Sequence, residues 1–224
     1  ARYVVEQISS WQCKTGYFRD SAVLYRVSAQ SRVIEEGLMR ASIPYRVYGG
    51  MRFYERAEIK DALAYVRLST FQDDDVSFER IINTPTRGIG QRTVEELRSI
   101  SRLENCSLWQ AVQDILRDKS LSARALNALE TFVQLITHMG GNKGLPLDEA
   151  VDNVIKVSGL IEHYRKEKGE RGLSRIENME ELVSAAGEFN AEDEELESME
   201  PLQAFLAHAA LESGETQADA YSDC

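Results

Sequence analysis

The chain has 224 residues, 43% of them hydrophobic, with 26 Lys+Arg against 37 Asp+Glu and a formal net charge of −11, which is ample for one large domain or two small ones with real cores. No apolar run approaches the roughly 20 residues needed to cross a bilayer, and Ala1-Arg-Tyr-Val-Val-Glu6 lacks the basic and apolar regions of a signal peptide, so a cytoplasmic protein with no membrane partner is expected. Cys13, Cys106 and Cys224 are odd in number and far apart, and His138, His163 and His208 are scattered, which argues against a disulfide framework and against a metal site.

Residues 1–48 read as a small α/β piece: a helix over Tyr3 to Trp11, a strand over Ala22 to Tyr25, a helix over Ser31 to Ala41 and a strand over Tyr45 to Tyr48. Alternation of this kind predicts parallel strands belonging to a larger sheet, and two strands do not make such a domain. From Gly49 onward, apolar residues recur at three- and four-residue spacing, as in Ile59, Ala62, Leu63 and Val66. Asp73-Asp-Asp75 falls between two helices and reads as turn and cap chemistry rather than a metal or acid/base cluster.

Thr84-Pro-Thr-Arg-Gly-Ile-Gly-Gln-Arg-Thr93 follows, a glycine loop opening onto the helix that carries Val94, Leu97 and Ile100. Gly88 and Gly90 permit close backbone approach, Thr93 lies in the first turn, and Arg87 and Arg92 add charge on each side. A helix N-terminus with free N–H groups attracts phosphate through hydrogen bonds and dipole together, the logic by which helix-hairpin-helix modules hold a DNA backbone without reading bases. The net charge opposes nucleic acid, but residues 1–110 hold 16 Lys+Arg against 14 Asp+Glu whereas residues 111–224 hold 10 against 23. Any DNA surface is therefore expected in the first half.

Further helices are predicted in order. Ser107-Leu-Trp-Gln110 reads as a capping box before Leu108, Val112, Ile115 and Leu116; Leu126, Leu129, Phe132, Val133 and Ile136 form a stripe stopped by Gly140-Gly141. Pro146 to Val157, Arg175 to Ala186 and Pro201 to Glu212 complete a bundle of seven to nine helices. Trp11 and Trp109 sit at apolar helical spacing and are expected in the core. Glu188 to Glu200 carries seven acidic residues and no basic one, the pattern of a mobile, solvated surface loop. The fold class expected is mainly α: a helical bundle with a small N-terminal α/β piece.

Several segments together carry a resemblance: Ala22-Val-Leu-Tyr-Arg-Val-Ser-Ala-Gln-Ser-Arg32, Tyr48-Gly-Gly-Met-Arg-Phe-Tyr-Glu-Arg-Ala-Glu-Ile-Lys-Asp61, Asn83 to Gly90, Arg175-Ile-Glu-Asn-Met-Glu-Glu-Leu182 and Pro201 to Glu212. They resemble, in the same order, the UvrD/Rep/PcrA family of superfamily-one DNA helicases. The resemblance implies that residues 1–48 are part of the second motor domain, 2A, and that residues 49–224 are the helical domain inserted in it, 2B. For a whole bacterial helicase it implies ATP- and Mg²⁺-dependent 3′-to-5′ translocation, with roles in nucleotide excision and mismatch repair. This chain has no Gly-x-x-x-x-Gly-Lys-[Ser/Thr] loop and no Asp-Glu pair after a strand, so no cofactor, catalytic residue or metal is expected within it.

By resemblance, Arg26 matches an arginine that touches single-stranded DNA, and Ser28 stands where the family commonly has Asn. Gly88, Ile89, Gly90 and Thr93, with Arg87 and Arg92, match the loop that grips duplex backbone at single/double-strand junctions, independent of sequence. Arg52 and Arg56 are candidate phosphate or interdomain contacts, with surface pairing to Glu55 or Glu58 as the alternative. Gly49-Gly50 at the junction suggests a hinge about which the insert could rotate. An alternative function is a regulatory module, autoinhibitory or docking repair proteins, which the acidic half would suit.

Overall fold

Apolar residues three and four apart wind nearly the whole chain into helices, and their stripes meet in one core. A computed structural model describes residues 1–48, 51–141, 144–190 and 199–214. Among these are eleven α-helices: α1 (Arg2–Thr15), α2 (Ser31–Arg40), α3 (Ala57–Thr70), α4 (Asp75–Ile81), α5 (Gln91–Glu104), α6 (Leu108–Asp118), α7 (Ala123–Met139), α8 (Leu147–Ser158), α9 (Leu160–Arg165), α10 (Glu170–Glu188) and α11 (Pro201–Gly214). Short 3₁₀ turns at Ser28–Gln30 and Phe53–Glu55 precede α2 and α3.

The third helix is the axis of the bundle. Its Ile59, Ala62, Tyr65, Val66 and Leu68 are wholly enclosed, and it packs on α4, α7, α8 and α10. Burying side chains of this size stabilises the fold by about 1.5–3 kcal/mol each before chain entropy is counted. The close crossing of α3 and α7 requires glycine at 140, because a Cβ there would stand 2.9 Å from the Ser69 carbonyl oxygen. Helices α8, α9 and α10 form a second group that packs back onto α3, while α5 packs on α6 and α6 on α7. Nine of the helices lie beyond residue 50, in line with the bundle expected from periodicity.

The predicted strands are not formed. Residues 22–25 and 45–48 have neither helix nor ladder, and no strand occurs among the described residues. A strand is defined by a partner about 4.8 Å away; these two segments instead both line one cleft beside α2. Trp109 is in the core as expected, but Trp11 is 48% exposed on α1, a helix with no buried residue. The Gly49-Gly50 junction and most of the acidic segment, residues 191–198, lie outside the described residues.

Candidate nucleic-acid interface

The glycine loop is held from within. Asn83 Oδ1 accepts from the Arg87 backbone N–H at 2.8 Å, closing the turn that contains the cis Thr84–Pro85 bond. The Arg87 guanidinium points into the protein: Nη1 donates to the carbonyls of Ile81 and Pro85, both at 3.1 Å, and Nη2 donates to Ser158 O at 3.1 Å and to the Tyr65 hydroxyl. It also lies 5.5 Å from the Tyr65 ring centroid and 5.6 Å from that of Phe132. Tyr65 donates in turn to Thr84 O at 2.6 Å, and burial, opposed by the Arg87 charge, pushes its phenol up to about 12. Arg87 therefore fastens the loop to the α8–α9 corner.

Ile89 is 2% exposed and plugs the loop into the core, whereas Gly88 and Gly90 on either side of it are exposed. Gly88 has φ +78, a conformation open to glycine. A Cβ added at Gly90 would meet nothing within 4 Å. Helix α5 starts with Gly90 as an extended N-cap and no side-chain cap; Thr93 N and Val94 N donate to Gly90 O at 3.0 and 3.3 Å. The N–H groups of Gln91 and Arg92 have no acceptor among the described residues, leaving the positive end of the helix dipole open. The Arg92 side chain is exposed beside it.

The arginines nearer the N-terminus have different surroundings. Arg26 is exposed, its backbone fixed by Gln30 Oε1, which accepts from the N–H groups of Arg26 and Val27 at 3.3 Å. Arg52 is 3% exposed with its guanidinium 5.1 Å from the Tyr45 ring centroid, a packed interior position rather than a surface phosphate contact. Arg56 spans the two parts of the chain: Nη1 donates to Ser28 O and Asn178 Oδ1, both at 2.9 Å, Nη2 to Ser31 Oγ at 2.6 Å, and Nε to Met51 O at 3.3 Å. Burial lowers its pKa. These bonds tie Met51 and the Ser28–Ser31 turn to Asn178 of α10.

Around it runs a polar seam between residues 28–36 and α10. Arg32, 3% exposed, donates to Glu36 at 2.9 Å, Glu181 at 2.5 Å and Glu188 at 2.8 Å. Burial would depress its pKa, but its hydrogen bonds to Glu188 and Glu181 and the charge of Glu36 prevail and raise it. Asn178 Nδ2 donates to Glu58 at 2.6 Å, and the Ser28 hydroxyl donates to Asn178 Oδ1 at 3.2 Å and bonds Ser174 Oγ at 2.8 Å.

The sequence that builds this site matches one family description, the UvrD-like helicase C-terminal domain, over residues 1–223. The chain belongs to that family. It is 53% identical over 224 residues to DNA helicase II of Escherichia coli (strain K12), covering 100% of this chain and 31% of the relative. The same identity and coverage hold for DNA helicase II of Salmonella typhimurium. ATP-dependent DNA helicase PcrA of Bacillus subtilis is 39% identical over 193 residues, 86% of this chain and 25% of the relative. The chain thus spans about a third or less of these helicases' length.

In this helicase-family chain the sequence pattern singled out Arg26, Arg52, Arg56 and the glycine loop, and the structure separates them into two places. Gly88, Gly90, Arg92 and Thr93 form an outward rim at α5, with Ile89 and Arg87 as its anchors. Arg56 lies at the seam, together with Arg32, Glu58, Ser174 and Asn178, none of which the sequence marked as a site residue, whereas Arg26 is exposed, with its backbone N–H on Gln30. The available signal was a polar Asn178 on the inward stripe between Ile176, Met179 and Leu182.

Proposed function

We propose that this chain is the duplex-holding part of a bacterial, cytoplasmic DNA helicase, in which residues 1–48 belong to a motor domain and residues 49–224 to a helical insert. The observation that carries the reading is the open N-terminus of α5 next to exposed Gly88 and Gly90 and the exposed Arg92 cation: donors, dipole and charge converge on space that a backbone phosphate can enter. Contacts of this type ignore base sequence, so the chain holds duplex beside a junction while the motor acts on one strand.

The chemistry of ATP hydrolysis belongs elsewhere in the helicase. The residues present do not fit a nucleotide and Mg²⁺: the glycine loop has no lysine, and its Arg87 is committed to internal carbonyls. The Asp73 to Asp75 carboxylates are likewise engaged, accepting from Ser107 Oγ, Ser77 N and Leu108 N. Glu104, Cys106 and Asp114 bring their ligand atoms within 4.8 Å of one another, at the C-terminal end of α5 and not at the glycine loop that opens it.

Fluorescence anisotropy with a labelled blunt duplex and a single strand of equal length, across a salt series, tests the reading. Duplex should be preferred, with log affinity falling linearly against log salt, and Arg92→Ala should reduce that slope by about one. Gly90→Ala, whose Cβ meets open space, should fold normally and still weaken duplex binding. Equal affinity for both DNAs, or no binding at low salt, would reject the proposal and favour the regulatory, protein-docking alternative.

A further inference from the structure

We propose that Tyr65 and Asn83 are positioning residues that aim the glycine loop and thereby set its preference for duplex over single-stranded DNA; this rests on the duplex-holding reading of that loop. The backbone N–H groups of Gly88, Ile89, Gly90, Gln91 and Arg92 have no acceptor among the described residues. No internal bond steers these donors. Hydrogen bonds weaken steeply once donor and acceptor leave alignment, so the grip on a phosphate depends on whatever fixes the chain around them.

Two polar side chains do this at the entry to the loop. The Tyr65 hydroxyl donates to Thr84 O at 2.6 Å and accepts from Arg87 Nη2, so one group on the core helix α3 ties down two points of the same turn. Asn83 Oδ1 closes that turn by accepting from the Arg87 N–H at 2.8 Å. The Tyr65 ring is wholly enclosed, which leaves the hydroxyl little freedom to follow a moving loop, whereas Asn83 is half-buried. With Arg87 on Ser158 O and Ile89 in the core, the turn is held on its inner side only, and Gly88 and Gly90 face open space. All these contacts lie within the helical body, so the aim of the loop is set there and not by residues 1–48.

A loop fixed in this way favours one form of DNA. Pairing and stacking hold the phosphates of a duplex in place, and donors already directed at them bind without a further ordering cost. A single strand has a flexible backbone that adapts to donors in several directions. Loosening the loop therefore weakens duplex binding and spares single-strand binding.

The test measures anisotropy of a labelled blunt duplex and of a single strand of equal length with the 224-residue chain, under conditions where circular dichroism shows each variant folded. Tyr65→Phe keeps the buried ring and removes both bonds. It should lower duplex affinity about two- to tenfold, the scale of a hydrogen bond or two, with single-strand affinity unchanged. The salt slope for duplex should also be unchanged, because no cation has been removed. Asn83→Ala should act in the same direction and carries the test if Tyr65→Phe does not fold. Combining either with Gly90→Ala should cost less than the sum of the two, since both act on the same donors. If Gly90→Ala and Arg92→Ala weaken duplex binding but Tyr65→Phe and Asn83→Ala lower only the urea midpoint, or weaken both DNAs equally, the positioning role is overturned while the reading of the loop stands. If Gly90→Ala and Arg92→Ala change nothing, that reading falls and the positioning role with it.

Discussion

Arg87 shows what a loop arginine does when every acceptor it meets is internal. Its four hydrogen bonds go to three carbonyls and the Tyr65 hydroxyl, so deleting the side chain strands those oxygens beneath Phe132 and Ile89. Arg87→Ala should lower unfolding free energy by about 2–4 kcal/mol, and Arg87→Lys should recover only part of it, because an ammonium lacks the planar fork. Urea denaturation measures this; an unchanged midpoint together with a reduced salt slope for duplex binding would mean that Arg87 faces DNA instead. The importance of this arginine was legible in the sequence, flanked as it is by Pro85 and Gly88. Its direction was not, since Ser158 lies 71 residues away, and local sequence does not say which surface a loop folds against. Gly88 was readable for the opposite reason: its φ of +78 draws on a backbone freedom that belongs to the residue itself.

Helix positions followed from periodicity because each helix buries one stripe and the stripes are written at three- and four-residue intervals. Their ends followed where caps are local: Asp74 accepts from Ser77 N at 3.1 Å and Ser107 from Gln110 N at 3.2 Å. Residues 22–25 and 45–48 form no strand here because strand identity depends on a neighbour that the segment does not encode. The acidic triplet was half legible. Its place between helices was evident, but Asp75 also accepts from Leu108 N at 2.8 Å, so it caps α6 as well as opening α4. Asp75→Ala should therefore cost about 1 kcal/mol, seen as a lower urea midpoint at constant slope, with Asp75→Asn recovering most of it because an amide oxygen accepts the same bond. An unchanged Asp75→Ala midpoint would leave α6 capped by Ser107 alone.

At the scale of the molecule, the charge asymmetry between the two halves of the chain is resolved where they meet. Arg32 from the balanced half is enclosed by Glu181 and Glu188 from the acidic half, with Glu36 as a third partner. An arginine 3% exposed among carboxylates stabilises the contact less than apolar packing would, yet removing it leaves acidic groups facing one another at a partly buried interface, typically a loss of about 3–5 kcal/mol for a fully buried pair and less here because Glu188 is largely exposed. The loss should be local. Helix α1 buries no residue and packs on α2, whereas α3 lies at the centre of the core. Native-state hydrogen exchange should accordingly find α1 opening at low free energy and α3 near the global value. Arg32→Ala should bring α2 and the Ser28–Gln30 turn down to the level of α1 while α3 and α7 keep their protection. A uniform loss of protection across α2, α3 and α7 would show instead that residues 1–48 and the helical body open as a single unit, and that the polar seam is part of one cooperative core.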